Sequence, residues 1–341
     1  MTLDLPAVRA AATAQAERAT RGTEDMRAYL ARQVKDGAHR EVIGPLLPAS
    51  GASGVIVHSG ERIAGWGNPE IPEMAYSVTK SVVSTVAGIA FDLKLIPDLH
   101  QPVADTLDLP ELAGARASTI TWHHLLQQTS QWDGELWGKP AWADAASNRT
   151  GSAPAGAVPG SGWAYNDVRV NLLCLALTHL FGQSLPAVLR DHILEPLGAA
   201  GTWSWHGYHN SVTSVDGEAV PVVSGGAHWG GGLWISAVDL ALLGGLYLGN
   251  GQHQARQLLS TTWIERTWQP CPHNADYGYL WWLNHRQVLF PTAPPTGRCA
   301  RGNADQHLLW IDPARDLVIA SHWGDHVEEL LHDVSIAVPT R

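Results

Sequence analysis

Lysine, phenylalanine and cysteine are scarce in this chain of 341 residues. Lysine occurs only at positions 35, 80, 94 and 139, and no run of basic residues is present. With a formal net charge of −10, the chain lacks the basic surface that nucleic acids and anionic membranes attract. We therefore expect neither a nucleic acid nor a membrane among its partners.

The three cysteines are scattered and odd in number, which fits neither a disulfide framework nor a zinc pattern. Two histidine pairs, His206/His209 and His322/His326, have ligand-like spacing, but no metalloprotease signature surrounds them. We therefore expect no metal and no cofactor.

Long apolar runs are also missing, because no window approaches the 18 consecutive apolar residues of a membrane-spanning helix. The first 22 residues do not have the shape of a signal peptide. The simplest expectation is a cytoplasmic protein, although a chain from which a leader had been removed would look the same.

Tryptophan is abundant: 16 residues stand against three phenylalanines. Trp132 and Trp137 lie in a polar segment with glycine and proline, and Trp229 opens a glycine-rich turn. Core packing explains most tryptophans, but an aromatic pocket for the apolar parts of a substrate is the alternative for these three. We take Trp132, Trp137 and Trp229 as candidate substrate-binding residues.

Strand patterns occur at both ends of the chain, and helices and loops fill the middle. Residues 51–67 predict a hairpin, and residues 5–35 and 77–95 have helical spacing of apolar side chains. The pattern predicts an α/β (α+β) fold. Residues 1–76 and 224–341 would form one layer and residues 77–223 a mostly helical region, within a single structural unit.

Ser77 and Lys80 stand three residues apart at the start of an apolar helix. This spacing places them on one helical face, where an amine can reach the hydroxyl. A serine needs a neighbouring base to become a nucleophile, and lysine can be that base if burial lowers its pKa. The alternative is an ordinary polar helix start, with Ser77 as the cap and Lys80 in solvent.

Two further segments carry candidate site residues. Tyr165 follows a loop rich in glycine, proline and serine, from which its phenol could move a proton, and Asp167 is a candidate helix cap. Gly302 precedes Asn303 near a predicted strand, where a backbone N–H could stabilise an oxyanion. A core tyrosine and a simple hairpin are the alternatives.

With these motifs in this order, the chain resembles the superfamily of serine β-lactamases and penicillin-binding proteins. It looks most like the branch of class C β-lactamases, family VIII carboxylesterases and 6-aminohexanoate-dimer hydrolases. Ser77 and Lys80 match Ser-x-x-Lys, and Tyr165 matches Tyr-x-Asn except that Asp167 replaces the asparagine. The third motif, Lys-Thr-Gly, is reduced to Gly302. The similarity extends over roughly residues 40–325.

The resemblance implies a β-lactamase/transpeptidase-like fold, an antiparallel sheet flanked by helices. It also implies a mechanism in which Ser77 forms an acyl-enzyme, Lys80 and Tyr165 transfer protons, and the N–H groups of Ser77 and Asn303 bind the oxyanion. The lysine that holds the carboxylate in lactamases is missing, and Arg301 or Arg298 could replace it. Asp167 would hold an amine or orient Lys80.

These departures favour a serine amidase or esterase that acts on a small molecule. A β-lactamase or D-amino-acid peptidase, an acyltransferase on the same site, and a non-catalytic penicillin-binding sensor are the alternatives. A homo-oligomer is compatible with the sequence.

Overall fold

A computed structural model describes residues 2–34, 37–144 and 157–341 of the chain. Within them the helices are α1 (Leu5–Ala16), α2 (Met26–Ala31), α3 (Val78–Asp92), α4 (Trp122–Leu126), α5 (Asp167–Phe181), α6 (Leu185–Leu189), α7 (Glu195–Leu197), α8 (Ala237–Leu248), α9 (Thr261–Thr267) and α10 (Val327–Ala337).

The strands are β1 (Ser53–His58), β2 (Glu61–Trp66), β3 (Glu73–Met74), β4 (Glu135–Leu136), β5 (Lys139–Pro140), β6 (Ser204–His206), β7 (Val212–Val215), β8 (Glu218–Pro221), β9 (Gly232–Ile235), β10 (Gln252–His253), β11 (Arg256–Gln257), β12 (Trp282–Leu283), β13 (Arg298–Gly302), β14 (His307–Asp312) and β15 (Leu317–His322).

An antiparallel sheet of six strands, in the order β12-β13-β14-β15-β1-β2, forms the centre of the fold. Successive side chains of a strand point to opposite faces. In β14, Leu308 and Trp310 accordingly belong to the core under α1 and α10, whereas Leu309 and Ile311 belong to the core under α3 and α8. The sheet is therefore covered by helices on both faces.

The predicted fold class is confirmed: the protein combines helices with an antiparallel sheet. The hairpin expected in residues 51–67 forms as β1 and β2, and the helix expected in residues 77–95 forms as α3. All strands of the central sheet come from residues 53–66 and 282–322, and the described chain between α3 and α7 consists of helices and loops with the short strands β4 and β5.

The single helix expected over residues 5–35 is wrong, because α1 ends at Ala16 and α2 begins at Met26. Gly22 between them has φ +77°, a left-handed conformation that glycine adopts easily and a helix does not continue through. The Asp25 side chain then caps α2 by accepting a hydrogen bond from the Ala28 N–H. Residue 35, the end of the predicted helix, lies outside the described residues.

No single helix of the described segments is long and apolar enough to cross a membrane. One pair, Asp167–Phe181 with Leu185–Leu197, reaches that length and composition only together and across a bend of 74°.

Candidate active site

The chain makes a sharp turn from β3 into α3, and Ser77 lies at this turn. The Ala75 N–H donates to the Leu233 carbonyl of β9 at 2.8 Å, which fixes the end of β3. Tyr76 then has φ +50°, a conformation that costs a non-glycine residue roughly 1 kcal/mol or more. Its ring is held by stacking on His307 at 4.9 Å. The turn leaves Ser77 at the open N-terminus of α3, where its side chain makes no capping bond to the described chain.

Lys80 reaches Ser77 from one turn further along α3. Its Nζ donates a hydrogen bond to Ser77 Oγ at 2.8 Å, and only 1% of Lys80 is exposed. Nζ also donates to Oδ1 of Asp167 at the start of α5. The expected contact between Ser77 and Lys80 and the expected burial of Lys80 are both present in the structure.

The condition under which Lys80 could act directly as a base, a pKa lowered by burial, is not met. Burial is the largest single influence and lowers the pKa of Lys80, but the charge of Asp167, its hydrogen bond and further contributions from neighbours that include Asp144 together more than offset burial. The net pKa of Lys80 is therefore raised above its ordinary value. Burial likewise raises the pKa of Asp167, yet Lys80 keeps the net value lowered. In the resting protein the two groups are therefore an ammonium and a carboxylate in contact.

The backbone packs tightly around this ion pair. A Cβ atom added to Gly226 would lie 2.5 Å from Asp167 Oδ2 and 3.0 Å from Lys80 Nζ, so only glycine fits there. The Asp167 N–H donates to the carboxylate of Asp144, which is fully buried. The pair is thus shielded from water, and removing either charge would leave the other buried without a partner.

Tyr165 lies over the same amine, with its ring centroid 4.8 Å from Lys80 Nζ. Burial raises the pKa of the Tyr165 phenol, although Lys80 and hydrogen bonds with Ser77 and Lys80 act in the opposite direction. The phenol is therefore protonated at neutral pH. The structure thus brings Ser77, Lys80, Tyr165 and Asp167 together around one nitrogen atom.

Gly302, at the end of β13, lies directly against the turn that carries Ser77. A Cβ atom added to Gly302 would be 2.9 Å from the backbone nitrogen of Ser77 and 2.8 Å from the Ala75 carbonyl oxygen. The peptide that joins Gly302 to Asn303 is consequently close to the Ser77 N–H. An oxyanion needs two such backbone donors close together, so the Ser77 and Asn303 N–H groups are the candidates for that role.

Arg301 lines the cleft, but it is not a free cation. Its guanidinium binds both carboxylate oxygens of Asp305, with Nη2 2.6 Å from Oδ2, and lies 5.0 Å from the centre of the Trp282 ring. Arg298 is directed away and donates to the carbonyls of Thr296 and Gly297 at 3.0 Å. That one of these arginines binds a substrate carboxylate stays a prediction, and of the two only Arg301 lines the cleft.

The three tryptophans proposed for the substrate pocket lie elsewhere. Trp132 is buried and donates to the Glu111 carbonyl at 2.8 Å, and Trp229 is buried and donates to the His39 carbonyl at 2.8 Å. Trp137 packs edge-on against Tyr208 at 5.9 Å. None of the three lines the cleft that opens at Ser77. The buried indoles of Trp132 and Trp229 need hydrogen-bond acceptors, and backbone carbonyls provide them.

A different aromatic cluster forms one wall of the cleft. Trp163 and Trp282 meet at 6.0 Å, Tyr165 and Trp282 at 5.5 Å, and Tyr277 supports Trp282 from behind at 4.8 Å. Trp163 lies two residues before Tyr165 and Trp282 lies five residues after Tyr277. Both fall within residues 40–325, over which the sequence resembles the family, and that was the available signal.

The cleft that opens at Ser77 has a volume of about 610 Å³. Sequence reasoning missed several lining residues: Tyr29, Arg32, Gln33, Tyr76, Asp144, Trp163, Ala227, His228, Trp282, Ala304, Asp305 and Gln306. No sequence signal identifies Tyr29 or Gln33, because only folding brings them to the cleft. Among the described residues, no group of three or more potential ligands could hold a metal ion.

Comparisons with known proteins agree with this geometry. The family model described as Beta-lactamase matches residues 39–323. A β-lactamase from Mycobacterium bovis superposes with a TM-score of 0.58 at 18% identity, over 85% of this chain and 95% of its own. The hydrolase EstCE1, described as having promiscuous acyltransferase activity, gives 0.59 at 15% identity, over 92% and 99%.

An octameric penicillin-binding protein homologue from Pyrococcus abyssi has a TM-score of 0.55 at 19% identity, covering 79% of this chain and 68% of its own. Because these structures are only 15–19% identical to this chain, their similarity shows a shared fold and nothing more. No curated protein sequence matches the chain significantly.

Proposed function

Because this chain belongs to the Beta-lactamase family, we propose that it is a serine hydrolase that cleaves an ester or amide bond of a small molecule through an acyl-enzyme on Ser77. The observation that supports this most directly is the 2.8 Å hydrogen bond between Lys80 Nζ and Ser77 Oγ at the base of the cleft. A hydroxyl in contact with a proton-transfer group at a helix N-terminus is suited to nucleophilic attack.

The resting ammonium of Lys80 cannot itself accept the Ser77 proton, so Asp167 takes part in the proposed acylation. As Ser77 Oγ bonds to the substrate carbonyl carbon, its proton moves to Lys80 Nζ while Lys80 passes one of its own protons to Asp167. Lys80 stays an ammonium, and Asp167 becomes a neutral acid. The proton that the leaving group needs then returns from Asp167 through Lys80, and Tyr165 is placed to deliver it.

Deacylation follows the same route with water as the nucleophile. Water loses a proton to Lys80 and Asp167 as it attacks the acyl carbon, and the proton returns to Ser77 Oγ when the acid leaves. The negative charge on the carbonyl oxygen in each step is bound by the N–H groups of Ser77 and Asn303 in this proposal.

Two features of the cleft favour a neutral substrate with an apolar portion. The wall formed by Trp163, Tyr165 and Trp282 offers a large aromatic surface. Arg301 is already paired with Asp305, so little cationic attraction remains at the position where lactamases hold a carboxylate. We therefore expect short p-nitrophenyl esters to be cleaved and nitrocefin to be cleaved poorly.

The test is a fluorophosphonate adduct located by peptide mass, combined with a panel of esters, linear amides, D-amino-acid amides and nitrocefin. The variants are Ser77→Ala and, as a matched control, Ser84→Ala, which removes a buried hydroxyl further along the same helix. We expect the adduct on Ser77 and turnover by the wild type and Ser84→Ala alone. If the wild type cleaves none of the esters, the protein would be a non-catalytic sensor. Efficient nitrocefin turnover would identify it as a β-lactamase.

Acyl transfer is the second candidate, because EstCE1 has this side activity and a similar fold. Adding methanol to the ester assay distinguishes the two fates of the acyl group, since transfer yields the methyl ester instead of the acid. The octameric relative makes a homo-oligomer worth testing as well, by light scattering of the purified protein.

A further inference from the structure

The segment formed by α2 and the turn after it reaches the tip of the β13–β14 hairpin through side-chain hydrogen bonds. Gln33 Nε2 donates to Asn303 Oδ1 at 2.6 Å, and Asn303 Nδ2 donates to the Tyr29 hydroxyl oxygen at 2.6 Å. The Tyr29 hydroxyl in turn donates to Gln306 Oε1 at 2.8 Å. Asn303 Nδ2 also donates to Gln306 Oε1 within the hairpin. The Asn303 amide is therefore held on both polar groups by residues about 270 positions away in sequence, and on its nitrogen by Gln306 as well.

The hairpin tip needs such support because its backbone is unfavourable. Asn303, Ala304 and Asp305 have φ values of +51°, +54° and +74°, three consecutive left-handed residues without a glycine. Each such residue costs roughly 1–2 kcal/mol in a free chain, although Asn and Asp tolerate it better. Without tertiary contacts the tip would relax, and the peptide between Gly302 and Asn303 would move relative to Ser77.

The contacts come from outside the part of the chain that matches the family model. That match covers residues 39–323, whereas Tyr29 and Gln33 precede it. The same two residues line the cleft beside Ser77. This N-terminal segment therefore adds a wall to the site and a support for the hairpin tip that the matched region does not contain.

We propose that Tyr29 and Gln33 are positioning residues for catalysis: by holding the Asn303 amide they fix the Asn303 N–H at the distance from Ser77 at which an oxyanion can bind. The inference rests on the proposed function, since an oxyanion donor matters only if Ser77 attacks a carbonyl. The proposal predicts that loss of Tyr29 or Gln33 raises the free energy of the transition state and leaves the affinity for the substrate nearly unchanged.

Steady-state kinetics of Tyr29→Phe and Gln33→Leu with a short p-nitrophenyl ester test the proposal. We expect kcat to fall roughly tenfold in each variant, because a small displacement of a reacting group is costly, with KM changed less than about twofold. The pH profile should keep its shape, since neither residue touches Lys80. Tyr279→Phe is the matched control: it removes a tyrosine hydroxyl bonded to His123 at 2.6 Å, outside the cleft, and should keep the wild-type kcat.

A double-variant cycle identifies the route of the effect. If Tyr29 and Gln33 act through Asn303, then adding Asn303→Ala to either variant lowers kcat no further than Asn303→Ala alone. Losses that multiply would overturn the proposal, as would an unchanged kcat in both single variants while Ser77→Ala is inactive. Retention of activity by Ser77→Ala would instead reject the proposed function itself. Gln33 is half-buried, so Gln33→Leu keeps the test valid if the Tyr29 variant does not fold.

Discussion

The carboxylate of Asp167 accepts a hydrogen bond from the ammonium of Lys80 inside the protein, where 1% of the Lys80 side chain and 6% of the Asp167 side chain are exposed. The resemblance that identifies Lys80 places a neutral asparagine at the position of Asp167. A neutral amide would leave burial to lower the pKa of the lysine, whereas the carboxylate raises it. The charge of Asp167 is therefore the main influence that keeps Lys80 protonated.

Asp167→Asn should move the acid limb of the kcat/KM profile to higher pH. In the wild type the proposed relay works while Asp167 is ionised, and its pKa is lowered below its ordinary value. In the variant Lys80 must itself be neutral, so activity appears only above the pKa of the amine, and we expect a shift of about two units or more. Asp239→Asn, a buried aspartate that binds the Ala200 N–H, is the control. An acid limb that stays in place would remove Asp167 from the relay.

Lys80→Met should destabilise the protein as well as inactivate it. The change leaves the Asp167 carboxylate buried without its cation, which costs about 3–5 kcal/mol in the free energy of unfolding. The double variant Lys80→Met/Asp167→Asn should recover most of that loss, because no buried charge remains. Urea unfolding at neutral pH measures both. Equal stability of the single and double variants would mean that water reaches the pair.

Asp305→Asn should change substrate preference towards carboxylates. Removing the partner of Arg301 frees a guanidinium at the cleft, where it can bind a carboxylate with two hydrogen bonds. We expect the ratio of kcat/KM for a carboxylate-bearing ester to that for its neutral analogue to rise by about threefold to tenfold, a modest effect because the site is partly open to solvent. Asp316→Asn, in the hairpin between β14 and β15, serves as the control. A constant ratio would show that Arg301 lies out of reach of the substrate.

Gly302→Ala should lower kcat by roughly a hundredfold. The new methyl group would lie 2.9 Å from Ser77 N and 2.8 Å from the Ala75 carbonyl oxygen, so β13 must move away from the nucleophile turn. Gly245→Ala on α8 is the matched control, since its added Cβ meets no atom within 4 Å and a helical alanine is stabilising by about 1 kcal/mol. Wild-type kcat in Gly302→Ala would exclude this strand from oxyanion binding.

Local patterns in the sequence predicted the elements that carry the chemistry. Ser77 and Lys80 meet because residues three apart on a helix share a face, and the apolar residues after Lys80 predicted its burial. The β-branched run and turn of residues 51–67 predicted the first hairpin. Over residues 5–35 the spacing of alanine and leucine suggested one helix, but α1 ends at Ala16 and Gly22 adopts a left-handed conformation before α2 begins.

The aromatic wall shows the limit of composition as a guide. Trp132 and Trp229 stand in segments that look like loops, yet both indoles are buried against backbone carbonyls. Trp163 and Trp282 line the cleft because a loop and a short strand, distant in sequence, converge there. The abundance of tryptophan in the sequence predicts aromatic packing. Which of the rings line the cleft is determined only by the tertiary structure.

From the sequence alone follow the nucleophile turn, the lysine beside it and the fold that presents them, because helical and strand periodicities are properties of neighbouring residues. The tertiary structure alone decided that Lys80 is charged, that Arg301 is already paired, and that Tyr29 and Gln33 support Asn303. Each of these depends on the distance and dielectric between groups far apart along the chain, 87 residues for Lys80 and Asp167 and 270 for Gln33 and Asn303. Spacing in a sequence carries no information about such separations.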